Sequence, residues 1–181
     1  AKFIKTRTMA GGGLNNTGFY YDKGISNSVS LKWESKANYQ ISSSPVVLNK
    51  TVYMGSKDKN LYALDSETGE QKWQFETNSK VISTPAVENG TVYFGTASNG
   101  IEKGVFYAID TETGQEIWHL KTEGAIYYSP PKVKDKVLYF GDKEGYLYAV
   151  NANTGQKKWQ FKTASSIMYT TPTITEEHVI I

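Results

Sequence analysis

An eleven-residue phrase occurs three times in this chain: ALDSETGEQKW at 63–73, AIDTETGQEIW at 108–118 and AVNANTGQKKW at 149–159. Each copy opens on an alanine (Ala63, Ala108, Ala149). A glycine follows six residues later (Gly69, Gly114, Gly155), and a tryptophan closes the phrase four after that (Trp73, Trp118, Trp159). A fourth tryptophan, Trp33, stands 40 residues ahead of Trp73 without the rest of the phrase. A large flat ring kept at constant distance from two of the smallest residues is a packing instruction. A chain that repeats it must build the same joint several times.

The tryptophans are separated by 40, 45 and 41 residues. A second marker, a proline after Ser or Thr, stands at Pro45, Pro85, Pro130 and Pro172, at gaps of 12, 12, 12 and 13 from the preceding tryptophan. A repeat near 40 residues made of short strands is the signature of propeller blades. In the first complete unit the strands are expected at 44–48, 51–55, 61–65 and 72–76. Asn49-Lys50, Asn89-Gly90 and Asp135-Lys136 read as tight hairpin turns, where Asn, Asp and Gly tolerate positive φ. Thr68-Gly69, Thr113-Gly114 and Thr154-Gly155 close the third hairpin of each unit, with the glycine in the left-handed region. Asp65, Asp110 and Asn151, ahead of those glycines, are suited to holding the turn amides rather than to catalysis.

The strands alternate apolar residues with period two, and several, such as Val92-Tyr93-Phe94, are apolar on both faces. That pattern fits a sheet covered on each side by another sheet. The phrase then has a mechanism. The outer-strand indole lies between blades, over the alanine of its own unit and the glycine of the next. The expected docking set is Trp33, Trp73, Trp118 and Trp159 with Ala63, Ala108, Ala149, Gly69, Gly114 and Gly155.

Composition removes several functional classes. The chain of 181 residues contains no cysteine, which excludes disulfides, thiol catalysis and zinc–thiolate sites. A formal net charge of +2 gives no electrostatic footprint for nucleic acid. No apolar run is long enough for a membrane-spanning helix. Nucleophile elbows, phosphate loops and zincin helices are absent. His119 follows Trp118 on a strand and has no second histidine at ligand spacing, and His178 sits beside Glu176 and Glu177, so both read as solvated.

These repeats resemble the tryptophan-docking motif of the quinoprotein alcohol dehydrogenase-like β-propellers, a superfamily with pyrroloquinoline-quinone-type repeats and often eight blades. The resemblance covers about 43–181. The lead-in, with 5–8, Thr17-Gly18 and 29–33, is similar to the arm that opens many such domains. The resemblance implies an all-β fold: a lead-in arm at 1–28 and an incomplete propeller at 29–181. Within it, an outer strand is expected at 29–35, blades at about 41–77, 81–122 and 126–163, and a half blade at 167–181. It does not imply the enzyme activity. The quinone dehydrogenases hold their cofactor over calcium with acidic and amide side chains, and several use adjacent cysteines. This chain looks nearer to the non-enzymatic members, such as the propeller lipoprotein of the outer-membrane barrel-assembly machinery. The expectation is a binding or assembly scaffold in a periplasmic, cell-surface or secreted setting, without catalytic, metal or cofactor-binding residues. Two alternatives stay open: the N-terminal half of a quinone-dependent dehydrogenase, and a purely structural spacer.

Three complete blades cannot close a ring, since closed propellers have about four to eight. The expected partners are therefore a protein ligand, a remaining half of the propeller, or a second copy of the chain. Two regions are candidate binding surfaces. Tyr39, Tyr127, Tyr128, Met168 and Tyr169 precede the innermost strands, where rigid aromatics stack on a ligand or anchor a peptide; filling between inner strands is the competing reading. Ser98 and Asn99 lie in a hairpin, 96–104, four residues longer than its counterpart in the first unit. Loops of this kind carry variable contacts, with simple length drift as the alternative.

Overall fold

The architecture is that of a computed structural model, which describes residues 2–3, 31–98 and 103–181. The lead-in motifs at 5–8 and 17–18, and Asn99, lie outside the described residues. The fold is all-β. Two short strands, β1 (Lys2–Phe3) and β2 (Trp33–Glu34), pair with each other. Three four-stranded antiparallel sheets follow, each in simple meander order. The first blade holds β3 (Val46–Leu48), β4 (Thr51–Gly55), β5 (Asn60–Asp65) and β6 (Gln71–Glu76). The second holds β7 (Ala86–Glu88), β8 (Thr91–Gly95), β9 (Val105–Asp110) and β10 (Glu116–Lys121). The third holds β11 (Lys132–Lys134), β12 (Val137–Gly141), β13 (Tyr146–Asn151) and β14 (Lys157–Lys162). A last hairpin, β15 (Thr173–Ile174) and β16 (Val179–Ile180), opens a fourth blade.

Local chemistry sets these boundaries. The innermost strand starts at Val46 rather than at 44, because Pro45 has no N–H to give the ladder. Asn49 and Lys50 (φ 47° and 58°), Asn89 and Gly90 (49° and 76°), and Asp135 and Lys136 (51° and 62°) are the central pairs of two-residue hairpins. Both φ values are positive in each, the geometry that matches the right-handed twist of the flanking strands. At the third hairpin Gly69, Gly114 and Gly155 take φ of 77°, 69° and 71°. The amides ahead of each glycine point at one side-chain oxygen: Asp65 accepts from Glu67 and Thr68, Asp110 from Glu112 and Thr113, Asn151 from Asn153 and Thr154.

The seams between blades are built on the tryptophans. A methyl group placed on Gly69 would fall 2.6 Å from the indole of Trp33. On Gly114 it would meet Trp73 at 2.8 Å, and on Gly155 it would meet Trp118 at 2.7 Å. Each indole N–H also donates to a backbone carbonyl of that next blade: Ser66 (3.0 Å), Thr111 (2.9 Å) and Ala152 (2.9 Å). On its own blade each ring faces an alanine across the ladder, with Trp73 opposite Ala63, Trp118 opposite Ala108 and Trp159 opposite Ala149. The fourth tryptophan differs. Trp118 is 8% exposed, whereas Trp159 is 40% exposed.

A second seam device was not read from the sequence. Gly55, Gly95 and Gly141 end the second strand of each blade, and Val81, Ile126 and Ile167 press onto them from the connection to the next blade. The amides of those three residues donate to Ser56, Thr96 and Asp142. In the first two blades a buried serine completes the clamp. Ser43 bridges both backbone groups of Gly55, and Ser83 does the same for Gly95. The core is consequently layered between sheets. One cluster joins Tyr53, Leu61 and Val81 to Val92, Phe94, Tyr107 and Ile109, and another joins Tyr93, Phe106 and Trp118 to Leu138, Phe140 and Tyr148.

These seams make two expectations. Trp118→Ala should lower unfolding free energy by about 3–5 kcal/mol, and Gly114→Ala by about 2–4 kcal/mol, because it combines a left-handed backbone with an overpacked ring. Urea titration checks both; unchanged midpoints would remove the seam as the source of stability. The turn carboxylates predict acid sensitivity. Backbone amides of Glu67 and Thr68 hold Asp65 below the usual carboxylate range, and Thr113, through its amide and hydroxyl, does the same for Asp110. A folded-state value below the unfolded one contributes stability that is present above about pH 4 and lost as pH falls through the depressed value. Asp110→Asn, which copies the third blade, should give up that contribution at neutral pH and in turn lose less stability as the pH falls. Thermal melts across pH 2–7 test this.

Candidate functional site

The strand register corrects one reading of the repeat. Val46 pairs with Tyr53, Ala86 with Tyr93 and Lys132 with Tyr139. The residue before Lys132 is Pro131, so Pro131, not Pro130, occupies the place of Pro45 and Pro85. Counted from the seam residues, Val81 and Pro85 are four apart, while Ile126 and Pro131 are five apart, as are Ile167 and Pro172. The third and fourth units each carry one residue more than the first two at the same point. Tandem prolines hid this from a proline-based alignment.

The extra residue has to leave the path of the chain, and the structure shows how it does so. The amide of Ser129 turns back to the carbonyl of Tyr127, with Tyr128 between them at φ 43°. This is a three-residue γ-turn of the positive-φ kind, rare and strained for a bulky side chain. It expels the Tyr128 side chain to the surface, where it is 38% exposed. The ring lies on Tyr169 of the next unit at 5.4 Å between centroids and 9° between planes. Tyr127 also stacks on Tyr128, at 6.3 Å and 27°. Tyr169 ends the row and is 72% exposed. The hydroxyl of Ser129 donates to the carbonyl of Thr170, tying together the two segments that carry the rings.

Tyr39 is exposed in the connection before the first blade, Met168 is half-buried beside Ile167, and Ser98 is half-buried at the edge of the long second-blade loop. His119 is exposed, with Nδ1 2.7 Å from Glu116 and its ring 5.9 Å from Tyr107. Of the docking residues, Trp33, Trp73 and Trp118 sit in seams on Gly69, Gly114 and Gly155, whereas Trp159 is 40% exposed.

One acid is fully buried among the described residues, Asp142. Its carboxylate accepts from the amides of Gly124 (2.8 Å) and Tyr146 (2.9 Å) and from the hydroxyl of Tyr148 (2.7 Å). Burial, with the carboxylate beside it, pushes the Tyr148 phenol far above its ordinary value, so it stays a donor. With both oxygens engaged, Asp142 clamps the second-to-third blade connection. Among the described residues no group of three His, Cys, Asp or Glu side chains could hold a metal ion, and no helix is long and apolar enough to cross a membrane. The surface chemistry this arrangement offers is adhesive: flat, rigid, amphipathic rings with little rotamer entropy to lose on contact.

A comparison with curated proteins finds no match in sequence. Solved structures are similar in fold. BamB from Moraxella catarrhalis aligns at a TM-score of 0.70 and 21% identity over 86% of this chain and 47% of its own. The quinohemoprotein alcohol dehydrogenase ADHIIG from Pseudomonas putida HK5 aligns at 0.60 and 24% identity over 71% of this chain and 21% of its own. The computationally designed Ika4 protein aligns at 0.66 and 17% identity over 80% and 85%. The chain thus spans less than half the length of the Moraxella protein and about a fifth of the dehydrogenase. A family model described as outer membrane protein assembly factor BamB matches residues 26–166. With its repeats built on seated tryptophans, the chain belongs to that family of pyrroloquinoline-quinone-type propellers.

Proposed function

We propose that this chain is a non-enzymatic binding scaffold of the cell envelope that engages a protein of outer-membrane barrel assembly through the tyrosine row Tyr127–Tyr128–Tyr169. Membership of the assembly-factor family supports the setting and the scaffold role. The observation that carries the reading is the strained, exposed Tyr128. A bulky residue in the left-handed region costs about 1–2 kcal/mol, and stacking on Tyr169 returns about 0.5–1.5 kcal/mol. The two nearly cancel, so folding stability gives no reason to hold a tyrosine there. An aromatic anchor for a partner does, because exposed rigid rings are the side chains that dominate protein interfaces.

Two outcomes follow. Tyr128→Gly should leave unfolding free energy within about 1 kcal/mol of the parent, the relief of strain offsetting the lost stack. A photo-crosslinking residue placed at Tyr169 in cells should capture a barrel-assembly component, identified by mass spectrometry. Tyr128→Gly in the same background should weaken that capture by about tenfold or more. Capture that survives Tyr128→Gly would move the site elsewhere. Tight uptake of pyrroloquinoline quinone with calcium and dye reduction would replace the scaffold reading with a dehydrogenase one.

A further inference from the structure

Three contacts between tyrosine rings differ in what can reach them. Tyr146 and Tyr148 lie 6.2 Å apart, but Tyr148 is buried and its hydroxyl donates to Asp142, so that phenol is closed to solvent. Tyr127 and Tyr128 lie 6.3 Å apart, with Tyr127 half-buried. Tyr128 and Tyr169 are both exposed, and at 5.4 Å and 9° they are the closest and most nearly parallel of the three. They also come from different units of the repeat.

Parallel rings with centres at that spacing are offset, so their edges meet rather than their faces. The edge of a phenol is where its one-electron chemistry is expressed. Loss of a hydrogen atom from the hydroxyl leaves a phenoxyl radical, whose unpaired electron is shared with the ring carbons ortho to the oxygen. Two such radicals held side by side join through those carbons. The backbone keeps these rings side by side even when they turn about their own side-chain bonds, because the Ser129 hydroxyl donates to the Thr170 carbonyl. A disulfide cannot serve this join, since the chain has no cysteine.

We infer that Tyr128 and Tyr169 form a site of oxidative phenol coupling, which places a carbon–carbon staple between the third unit and the fourth. The oxidant is hydrogen peroxide turned over by a haem peroxidase, which removes one electron at a time. Each phenol gives up one electron and one proton, and the peroxide accepts both sets and leaves as two molecules of water. A bond then forms between one ortho carbon of each ring. The hydrogen that each of these carbons carried moves to the oxygen of its own ring, which restores both hydroxyls. The product lacks two hydrogen atoms and is otherwise unchanged. Contact between the rings makes the coupling intramolecular, so it needs no encounter between chains. The two tyrosines are 41 positions apart, and all four strands of the third blade lie between them. The bond therefore closes a loop around that blade and restricts its unfolded chain as a disulfide would.

Treatment of the purified protein with a haem peroxidase and limiting hydrogen peroxide, followed by digestion and mass spectrometry, tests this. The expected product joins the peptide carrying Tyr128 to the peptide carrying Tyr169, two hydrogen atoms lighter than their sum. Its yield should hold when the protein is diluted about tenfold. Tyr128→Phe and Tyr169→Phe keep the stacked rings and remove one phenol each, so each should cut the yield by about tenfold or more. Tyr39→Phe, which alters an exposed ring in another connection, should leave the yield unchanged. The coupled protein should unfold at a higher urea concentration than the untreated one. A product joined through Tyr127 instead of Tyr128, one found only between chains, a yield indifferent to both row variants, or an unchanged urea midpoint overturns the inference. No partner takes part, so failed coupling leaves the binding reading standing, and failed capture of a partner leaves the coupling standing.

Discussion

Everything in this fold is set by an indole lying on a glycine. A left-handed glycine at the third turn presents bare backbone, and the ring of the preceding blade occupies the space a side chain would need. The same ring bonds a carbonyl of the blade it touches, which fixes direction as well as distance. Burial holds the blades together, and the hydrogen bond orients them. Repeating one joint with one geometry turns a meander of strands into an arc. The valine and isoleucine seats on Gly55, Gly95 and Gly141 act at the other end of the second strand, so each blade is gripped at two points.

Against that regular frame the tyrosine row stands out as a local exception. One added residue in the third unit cannot be absorbed in a strand without reversing every side chain that follows. The chain discards it as a tight turn instead, and the discarded residue is aromatic. The matching extra residue in the fourth unit brings Tyr169 alongside. Strain of this kind persists where surrounding structure over-determines it, and it gathers at functional surfaces. The regular blades supply the rigidity that holds the irregular residue in its strained turn.

The exposure of Trp159 follows from the same rule. A seat needs a turn to sit on, and among the described residues no glycine turn meets Trp159, which is 40% exposed where Trp118, seated on Gly155, is 8% exposed.

Much of the fold was legible from residues alone. The period, the positive-φ turns at Asn49, Asn89 and Asp135, and the seating of Trp33, Trp73 and Trp118 on Gly69, Gly114 and Gly155 are local or strictly periodic, so spacing encodes them. The tyrosine row was legible only as a set of candidates. Spacing counted to Pro130 concealed the added residue, because two adjacent prolines satisfy the same pattern and only cross-strand register tells which one enters the ladder. Tyr39 carried the same aromatic chemistry, yet it lies exposed in the connection before the first blade, since stacking depends on where the backbone turns. The bare glycines at 55, 95 and 141 gave no signal either, because their partners stand 26 to 31 residues away on another connection. Period and turn chemistry are written along the chain. Contact between distant segments is a property of the folded ring, and it appears only when the blades are laid side by side.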